Sequence, residues 1–397
     1  MKLSANFAAI FLLSVTVIDA TAQPSQWTWT NLHPSGALAS RAYAASDGQQ
    51  VGEVTTSSGP KHAALWTGTA TSWVDLNPPG LLTSTGRGTG GGKQGGWGEN
   101  GFGSDTQASL WDDTSASWIS LLPSGQTISQ IFGITATEQV GRLGAGLNER
   151  ATLWNGSASS YVDLHPSTAT RSIAFGTDGS QQVGWSIVPF GADTRREASL
   201  WTGTSGSWVS LHPSGADFSQ ANGVDSGIQA GYSQFPGIQR AGIWQGTPGS
   251  WTSLSQSAFA SSVANATYAG YQAGTAVIGF QSRASVWSGT SSSWEDLNSV
   301  LPSSTYFESE AHGIWTDGYV LYVVGWGVKA GNVTDAIMWT KDICYGDCDK
   351  NKSLTVDDFI CFQTLYAVSD PMADCDESGQ LTVDDFICFQ TYYALGC

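Results

Sequence analysis

The sequence predicts a mainly β protein, a seven-bladed β-propeller closed by its N-terminal strand, followed by a small all-α module. Three observations predict this architecture. A four-strand unit recurs between residues 27 and 341, and the two ends of this region are incomplete in complementary ways. A second, unrelated duplication, with an offset of 27 residues, occupies the end of the 397-residue chain.

The first 22 residues have the pattern of a signal peptide. Lys2 precedes the apolar run from Phe7 to Ile18, and Ala20-Thr-Ala22 supplies small residues for cleavage. A membrane anchor is the alternative, but spanning a bilayer needs about 20 apolar residues. We therefore predict a secreted or cell-surface protein without a transmembrane segment. The predicted domains are 1–22, the signal peptide; 23–341, the propeller; and 342–397, the C-terminal module.

A short apolar run that ends in Trp marks the third strand of every unit. Six of the seven copies carry a second aromatic residue seven positions later, and small or polar residues fill the gap, as in Thr67-Gly-Thr-Ala-Thr-Ser72. Two such runs around a short loop are typical of a β-hairpin. Strict recurrence indicates that the tryptophans pack between blades, although stacking on sugars is the alternative. They are Trp66, Trp111, Trp154, Trp201, Trp244, Trp287 and Trp339.

Two further markers complete the unit. A Ser is followed four residues later by a small residue, as in Ser84 and Gly88, and a second run ends in Gly. The unit thus has four strands in about 43 to 52 residues, the size of a propeller blade. The serines are Ser40, Ser84, Ser129, Ser172, Ser219, Ser262 and Ser309. The glycines are Gly52, Gly96, Gly141, Gly184, Gly231, Gly279 and Gly325.

The phase of the repeat predicts how the ring closes. Trp29-Thr-Asn-Leu-His-Pro34 matches a fourth strand with nothing before it, and Ile337-Met-Trp339 matches a third strand without its fourth. If these two strands pair, no sheet edge stays exposed. An open β-solenoid, the competing interpretation, does not require complementary ends.

The repeats resemble the HAF-type extracellular repeats of bacteria over roughly residues 27–340. The residues that carry the resemblance are His62-Ala-Ala-Leu-Trp66, Val74-Asp-Leu76 and, in another copy, Gln181-Gln-Val-Gly184. This resemblance implies an exported repeat protein and no settled activity.

Charge and cysteine are concentrated in the last 56 residues. Residues 342–397 hold 11 of the 33 acidic and 2 of the 16 basic residues, so they carry −9 of the net charge of −17. Such an acidic balance argues against nucleic acid as a partner, which needs basic patches. All six cysteines lie there too, which indicates disulfides in an exported module, with 15 possible pairings. A bond between Cys344 and Cys397 is one hypothesis.

Two 12-residue segments, 347–358 and 374–385, have the pattern of EF-hand calcium loops. Calcium takes six to eight oxygen ligands, which such a loop supplies from positions 1, 3, 5, 7, 9 and 12. Position 12 is Asp in both loops, and position 6 is Gly379 in the second but Lys352 in the first. An acidic surface turn is the alternative. We predict two Ca²⁺ ions bound by Asp347, Asp349, Asn351, Ser353, Thr355 and Asp358, and by Asp374, Asp376, Ser378, Gln380, Thr382 and Asp385.

The duplicated loops are similar to type I dockerin modules over residues 344–397. The resemblance implies a helix after each loop, at Phe359–Tyr366 and Phe386–Tyr393, and a cohesin partner. Loop positions 10 and 11 contact the cohesin in that family. The matching, partner-binding candidates are Val356, Asp357, Val383 and Asp384.

Function in the propeller is less marked in the sequence. His33, His165 and His212 share one repeat position on different blades, which favours repeat consensus over a metal site. No nucleophile or phosphate-loop motif occurs, so no catalytic residue is predicted. We expect a non-enzymatic propeller that binds a glycan or protein; the alternative is a dockerin-bearing glycoside hydrolase or polysaccharide lyase acting on extracellular polysaccharide. The variable positions before the third strand are candidates for binding, with solvated surface as their alternative: His62, Gln107, Arg150, Glu197, Arg240, Arg283 and Asp335.

Overall fold

The computed structural model describes residues 27–101, 105–376 and 378–396. The predicted signal peptide, 1–22, and Cys397 of the hypothesised Cys344–Cys397 bond lie outside the described residues. The chain divides into two compact units, Trp27–Ile343 and a C-terminal unit that begins at Cys344.

The first unit is a seven-bladed β-propeller, as predicted, in which every blade is a four-stranded antiparallel sheet. Within a blade the strand order follows the chain, from the innermost strand at the channel to the outermost. The strands are β1 Thr28–Asn31; β2 Ala39–Ser46, β3 Gln49–Thr55, β4 Lys61–Trp66, β5 Val74–Asp75; β6 Thr83–Gly90, β7 Lys93–Glu99, β8 Thr106–Asp112, β9 Thr114–Ser120; β10 Ser129–Ile134, β11 Gln139–Leu143, β12 Arg150–Trp154, β13 Val162–Asp163; β14 Arg171–Thr177, β15 Gln182–Phe190, β16 Asp193–Trp201, β17 Val209–Ser210; β18 Phe218–Asp225, β19 Ile228–Phe235, β20 Ile238–Trp244, β21 Thr252–Ser253; β22 Ser261–Tyr268, β23 Tyr271–Ile278, β24 Gln281–Trp287, β25 Glu295–Asp296; and β26 Glu308–Thr316, β27 Val320–Lys329, β28 Val333–Asp342.

The N-terminal strand completes the last blade, which confirms the predicted closure. Strand β1 pairs antiparallel with β28, and Trp29 faces Trp339 in the register. Leu32 continues this strand into the core and is fully buried against Trp66 and Met338. The ring is therefore sealed by residues from the two ends of the repeat region.

The repeated serines join each blade to the next. The hydroxyl of Ser84 accepts a hydrogen bond of 2.9 Å from the backbone N–H of Ala63 in the preceding blade. The other six serines make the same bond at 2.8 to 3.0 Å, and the bond from Ala336 N–H to Ser40 crosses the seam. Because a buried N–H without a partner is costly, this bond explains why every copy needs a hydroxyl at this position.

The repeated tryptophans form the packing between blades, as the recurrence indicates. All seven of the third-strand tryptophans are at most 1% exposed. Trp287, for example, packs against Ala230 and Ala241 of the preceding blade and Ala264 of its own. The tryptophans are therefore core residues and are not available for stacking on a ligand.

The histidines at the shared repeat position are structural ligands of the inter-blade serines. His33, His165 and His212 each place Nδ1 2.8 Å from the serine hydroxyl of the next blade. In two other blades Asn takes this role, and the hydroxyl of Ser84 donates to Oδ1 of Asn77 at 2.7 Å. The recurrence of these histidines therefore reflects blade packing.

We expect the propeller to lose stability as the pH falls below about 6.5. Burial lowers the pKa of His165 and of His212 in the folded state, so the unfolded chain binds more protons in acid. Their stabilisation is complete above the unfolded pKa and declines below it. Replacing both by Asn should flatten the dependence of the urea midpoint on pH between about 7.5 and 5.5. An unchanged slope in the double variant would contradict this assignment.

A β-bulge in the innermost strand of every blade points one side chain into the central channel. The register between the first two strands shifts by one residue, so that residue 43, for example, lies unpaired between Ala42 and Ala44. A Cβ on the facing Gly52 would lie 1.9 Å from the Arg41 carbonyl oxygen, which explains the repeated glycine. In the sixth blade this glycine is Gly274, not Gly279. We call the seven extra residues the bulge ring: Tyr43, Arg87, Phe132, Phe175, Asn222, Asn265 and His312.

The C-terminal unit contains two helices that each follow an acidic loop. Helix α1 spans Val356–Ala367 and α2 spans Val383–Leu395, three residues earlier at their starts than the predicted helices. Phe362 of α1 stacks on Phe389 of α2 with the ring centroids 4.2 Å apart, and both rings are buried. These two residues are separated by the repeat offset, so the core is symmetric about the pair.

Candidate functional site

The structure brings together the three carboxylates of each predicted calcium loop. Oxygens of Asp347, Asp349 and Asp358 lie within 4.8 Å of one another, and oxygens of Asp374, Asp376 and Asp385 do the same. Among the described residues these are the only two clusters of this kind. The two clusters occupy equivalent positions of the duplicated segment.

The loop backbone holds the first carboxylate of each cluster in place. Asp347 accepts hydrogen bonds from the N–H groups of Asn351, at 3.1 Å, and Lys352, at 2.9 Å. Asp374 accepts the equivalent bonds from Ser378, at 3.0 Å, and Gly379, at 2.7 Å. Each loop thus wraps around the carboxylate at its first position.

The carboxylate at position 12 closes each loop and begins the following helix. Asp358 is fully buried and accepts hydrogen bonds from Asp349 N–H, at 3.3 Å, and Thr355 N–H, at 2.8 Å. Thr355 is the N-cap of α1 and forms a capping box with Asp358. Asp385 and Thr382 repeat the arrangement at α2.

The remaining predicted ligands have other contacts in this structure. Asn351 donates from Nδ2 to Asp349 at 2.8 Å, and the Ser378 hydroxyl donates to the Gln380 carbonyl at 3.0 Å. The hydroxyls of Thr355 and Thr382 accept from the helix N–H groups two residues on, as N-caps do. Ser353 is exposed.

The donor set fits a hard divalent cation. Each cluster offers carboxylate oxygens only, without sulfur or imidazole, which suits Ca²⁺ or Mg²⁺ rather than Zn²⁺. Burial raises the pKa of Asp347, the N–H of Lys352 opposes this, and the nearby Asp358 and Asp349 raise the pKa further. A bound cation offsets the repulsion among three such close carboxylates.

Position 6 of both loops adopts the left-handed conformation. Gly379 has φ of +78°, and Lys352 has φ of +62° at the equivalent place. Glycine adopts this conformation freely, whereas other residues pay about 1–2 kcal/mol. The first loop therefore carries backbone strain that the second does not.

We expect Lys352→Gly to stabilise the helical unit by about 0.5–1 kcal/mol, the relief of strain less the added entropy of the unfolded chain. Denaturant unfolding of the purified protein measures this difference. Lys352→Gln is the matched control, because it removes the charge but keeps the Cβ. Gly379→Lys should have the opposite sign. Equal effects of the Gly and Gln variants would assign the change to charge instead.

Two disulfides fasten the loops to their helices. Cys348 is bonded to Cys361 and Cys375 to Cys388, each across 13 residues. Position 2 of a loop is thereby tied to the helix that follows it, and no described cysteine is free. The pairing repeats with the same offset as the carboxylates.

The candidate partner-binding residues lie on the surface. Val356 and Val383 are each 67% exposed, and Asp357 and Asp384 are exposed beside them. One helical turn on, Ile360 and Ile387 are also exposed. Each helix thus presents an apolar pair at positions i and i+4 that is duplicated on the other helix.

The variable positions before the third strand are largely engaged within their own blades. His62 lies 2.7 Å from Asp75 and Arg283 2.6 Å from Asp296, both on the fourth strand of the same blade. Asp335 accepts a hydrogen bond of 2.8 Å from Tyr306. Most of these charges therefore brace hairpins, which argues against the predicted ligand-binding role.

The channel of the propeller contains a cavity that the sequence reasoning missed. Its volume is about 370 Å³, and all seven members of the bulge ring line it. Volumes of about 300–1,000 Å³ are typical of small-molecule sites. The available signal was the third residue after each repeated Ser, which varies most while both its neighbouring markers recur.

No family model and no curated protein matches the sequence. In addition, no helix of the described segments combines the length and apolar character needed to cross a membrane.

Solved structures are similar to this chain in fold. The β-propeller domain of the Trilobed protease from Pyrococcus furiosus, which has an open velcro topology, gives a TM-score of 0.51 at 9% identity, covering 77% of this chain and 96% of that one. Pyrococcus horikoshii acylaminoacyl peptidase gives 0.51 at 12% identity, covering 75% and 51%. TolB from Acinetobacter baumannii gives 0.43 at 11%, covering 66% and 64%. The chain spans about half the length of the peptidase and less than two thirds of TolB. At these identities the likeness concerns the propeller fold alone.

Proposed function

We propose that this chain is an exported calcium-binding protein with two working parts. The propeller is a scaffold that binds a glycan or a protein. The helical unit binds two Ca²⁺ ions and docks the protein to a cohesin-like partner or a cell-surface component, in the manner of a dockerin. The single observation that carries the proposal is the exact duplication of the carboxylate cluster, with the same backbone hydrogen bonds in both copies.

The disulfides support an oxidising location. Two disulfides brace the helical unit, and such bonds persist mainly outside the cytoplasm. An extracellular or periplasmic protein is consistent with them, and the predicted signal peptide favours export.

The duplicated apolar pairs support docking. Val356 with Ile360, and Val383 with Ile387, leave similar apolar surface exposed at the start of each helix. Acidic neighbours, Asp357 and Asp384, flank both pairs. A partner with an apolar surface and a basic rim fits either copy, so binding in two orientations follows from the symmetry.

A calcium titration by calorimetry tests the proposal. We expect about two Ca²⁺ per chain, as for a pair of EF-hand-type loops. Asp358→Asn and Asp385→Asn should each remove one site, because the amide keeps the size of the side chain and loses the charge. Asp112→Asn, at an exposed carboxylate of the propeller, is the matched control. Absence of heat with the unmodified protein would refute calcium binding.

A glycan array with reaction products followed by mass tests the propeller. Binding without cleavage supports the scaffold role. Release of shortened or unsaturated products would instead support the alternative, a glycoside hydrolase or polysaccharide lyase.

A further inference from the structure

The bulge ring breaks the symmetry of an otherwise regular propeller. The serine and the glycine that position each bulge recur in every blade, whereas the bulge residues range from Phe to Asn to Arg. Blade packing therefore does not demand a particular side chain at this position. A bound molecule lacks sevenfold symmetry, so contact with one is a physical reason for seven equivalent positions to differ.

One side of the channel cavity is aromatic. Phe132 and Phe175 meet edge to face with centroids 5.2 Å apart, and Trp97 backs Phe132 at 5.5 Å. Tyr43 and His312 extend this wall, with their ring centroids 5.8 Å apart. Such a wall offers flat apolar surface to a ligand.

Arg87 supplies positive charge within this wall. Its guanidinium lies 4.1 Å from the centroid of Tyr43 and 5.7 Å from that of Trp97. No carboxylate of the described residues forms an ion pair with it, and none of their polar groups forms a hydrogen bond with it. The rings hold the guanidinium by its face, so its N–H edge is left to bind an anion.

The opposite side of the cavity carries amides. Asn222 and Asn265 each donate one Nδ2 proton to a backbone carbonyl at 2.8 Å, which fixes their orientation. Each keeps a second N–H, and Gln220 stands beside Asn222 at 2.7 Å. Oriented amides of this kind are suited to hydroxyl groups.

The carboxylates near the cavity are already occupied. Glu53 forms an ion pair with Lys61 at 3.1 Å and accepts a hydrogen bond from Tyr43 at 3.2 Å. Glu310 is paired with His312 at 3.1 Å. The site therefore lacks a free anion for an ammonium group, which disfavours amino acids and peptide N-termini.

We propose that the channel cavity binds a carboxylate-bearing sugar unit. The Arg87 guanidinium takes the carboxylate in a bidentate contact, the aromatic wall packs on the apolar C–H face of the sugar ring, and Asn222 and Asn265 bind its hydroxyls. This inference rests on the proposed role of the propeller as a glycan-binding scaffold, and it names the ligand class and the site.

Calorimetry with the calcium-loaded full chain tests the inference. The probes are a glucuronate-containing oligosaccharide and a glucose oligosaccharide of equal length. We expect the uronate to bind more tightly than the neutral sugar, and Arg87→Gln to weaken uronate binding about 10- to 100-fold, the effect of losing a charged hydrogen bond. Arg87→Lys should lose less, since it keeps the charge but not the fork. If the Gln variant unfolds, as judged by circular dichroism, the Lys variant carries the test.

Arg240→Gln is the matched control, because Arg240 also lies over an aromatic ring, Phe235 at 5.6 Å, but lines no part of the cavity. Equal binding of the two oligosaccharides, or equal losses in the Arg87 and Arg240 variants, would overturn the inference and leave the scaffold role intact. Absence of binding by any glycan on the array would overturn both. The calcium titration tests the helical unit independently of either outcome.

Discussion

Chelation of calcium is expected to loosen the helical unit while the propeller keeps its stability. Residues 342–397 carry a net charge of −9, and only Phe362, Ala373, Cys375 and Phe389 form the buried core of the helical unit. A ligand that binds only the folded state stabilises it by about 2.7 kcal/mol at a hundredfold excess over its Kd. So small a unit depends on such a contribution. Hydrogen exchange followed by mass spectrometry should show faster exchange in α1 and α2 after addition of EDTA.

Amides of the propeller provide the internal control, and their exchange should not change. The double variant Asp358→Asn, Asp385→Asn should already exchange rapidly in calcium and respond little to EDTA. Readdition of Ca²⁺ should restore protection to the unmodified protein only. Identical exchange of the helices with and without EDTA would mean that their fold does not depend on calcium. Simultaneous loosening of β2–β28 would mean that the two units are coupled.

Leu32→Ala is expected to destabilise the propeller by about 2–5 kcal/mol, the usual cost of a large-to-small change in a core. Leu32 follows β1, is fully buried, and packs with Ala42, Trp66 and Val324. It thus contacts residues of both the first and the last blade. Urea unfolding followed by tryptophan fluorescence measures the change in the free energy of unfolding.

Leu254→Ala is the matched comparison, because Leu254 occupies the same repeat position in an ordinary blade and is equally buried. The two variants should lose similar amounts of stability if the seam is as firm as the other blade contacts. Leu38→Ala, at a residue 54% exposed, should cost little. A much smaller loss for Leu32→Ala than for Leu254→Ala would show that the closing strand frays and that the ring is effectively open.

Most of the propeller was predictable because its packing rules repeat. A buried Trp, a Ser that bonds to the preceding blade and a Gly that faces a bulge each serve one physical need in every blade, so each recurs in the sequence. The incomplete first and last copies then required that β1 pair with β28. The sixth glycine was misplaced at Gly279, because Gly274 and Gly279 are both near the end of one run and only the bulge distinguishes them.

The candidate sites were predictable to different degrees. Carboxylates at fixed loop positions announce a cation site directly, and the structure brings three of them together in each loop. The disulfides followed from the offset, because Cys348 and Cys361 recur as Cys375 and Cys388, although the residues alone allowed other pairings. The bulge ring was missed because its members share a place and not a chemistry, and a search for repeats discards positions that vary.

The seam between β1 and β28 has a consequence for biosynthesis. The hydroxyls of Thr28 and Thr340 lie 2.7 Å apart although 312 residues separate them in the chain. Six blades form from contiguous residues as the chain elongates, whereas the seventh waits until its last partner leaves the ribosome. Contacts between such distant residues form slowly. A nascent chain interrupted before residue 337 would retain an unpaired strand able to join a neighbouring molecule, so premature termination should yield aggregates rather than a smaller propeller.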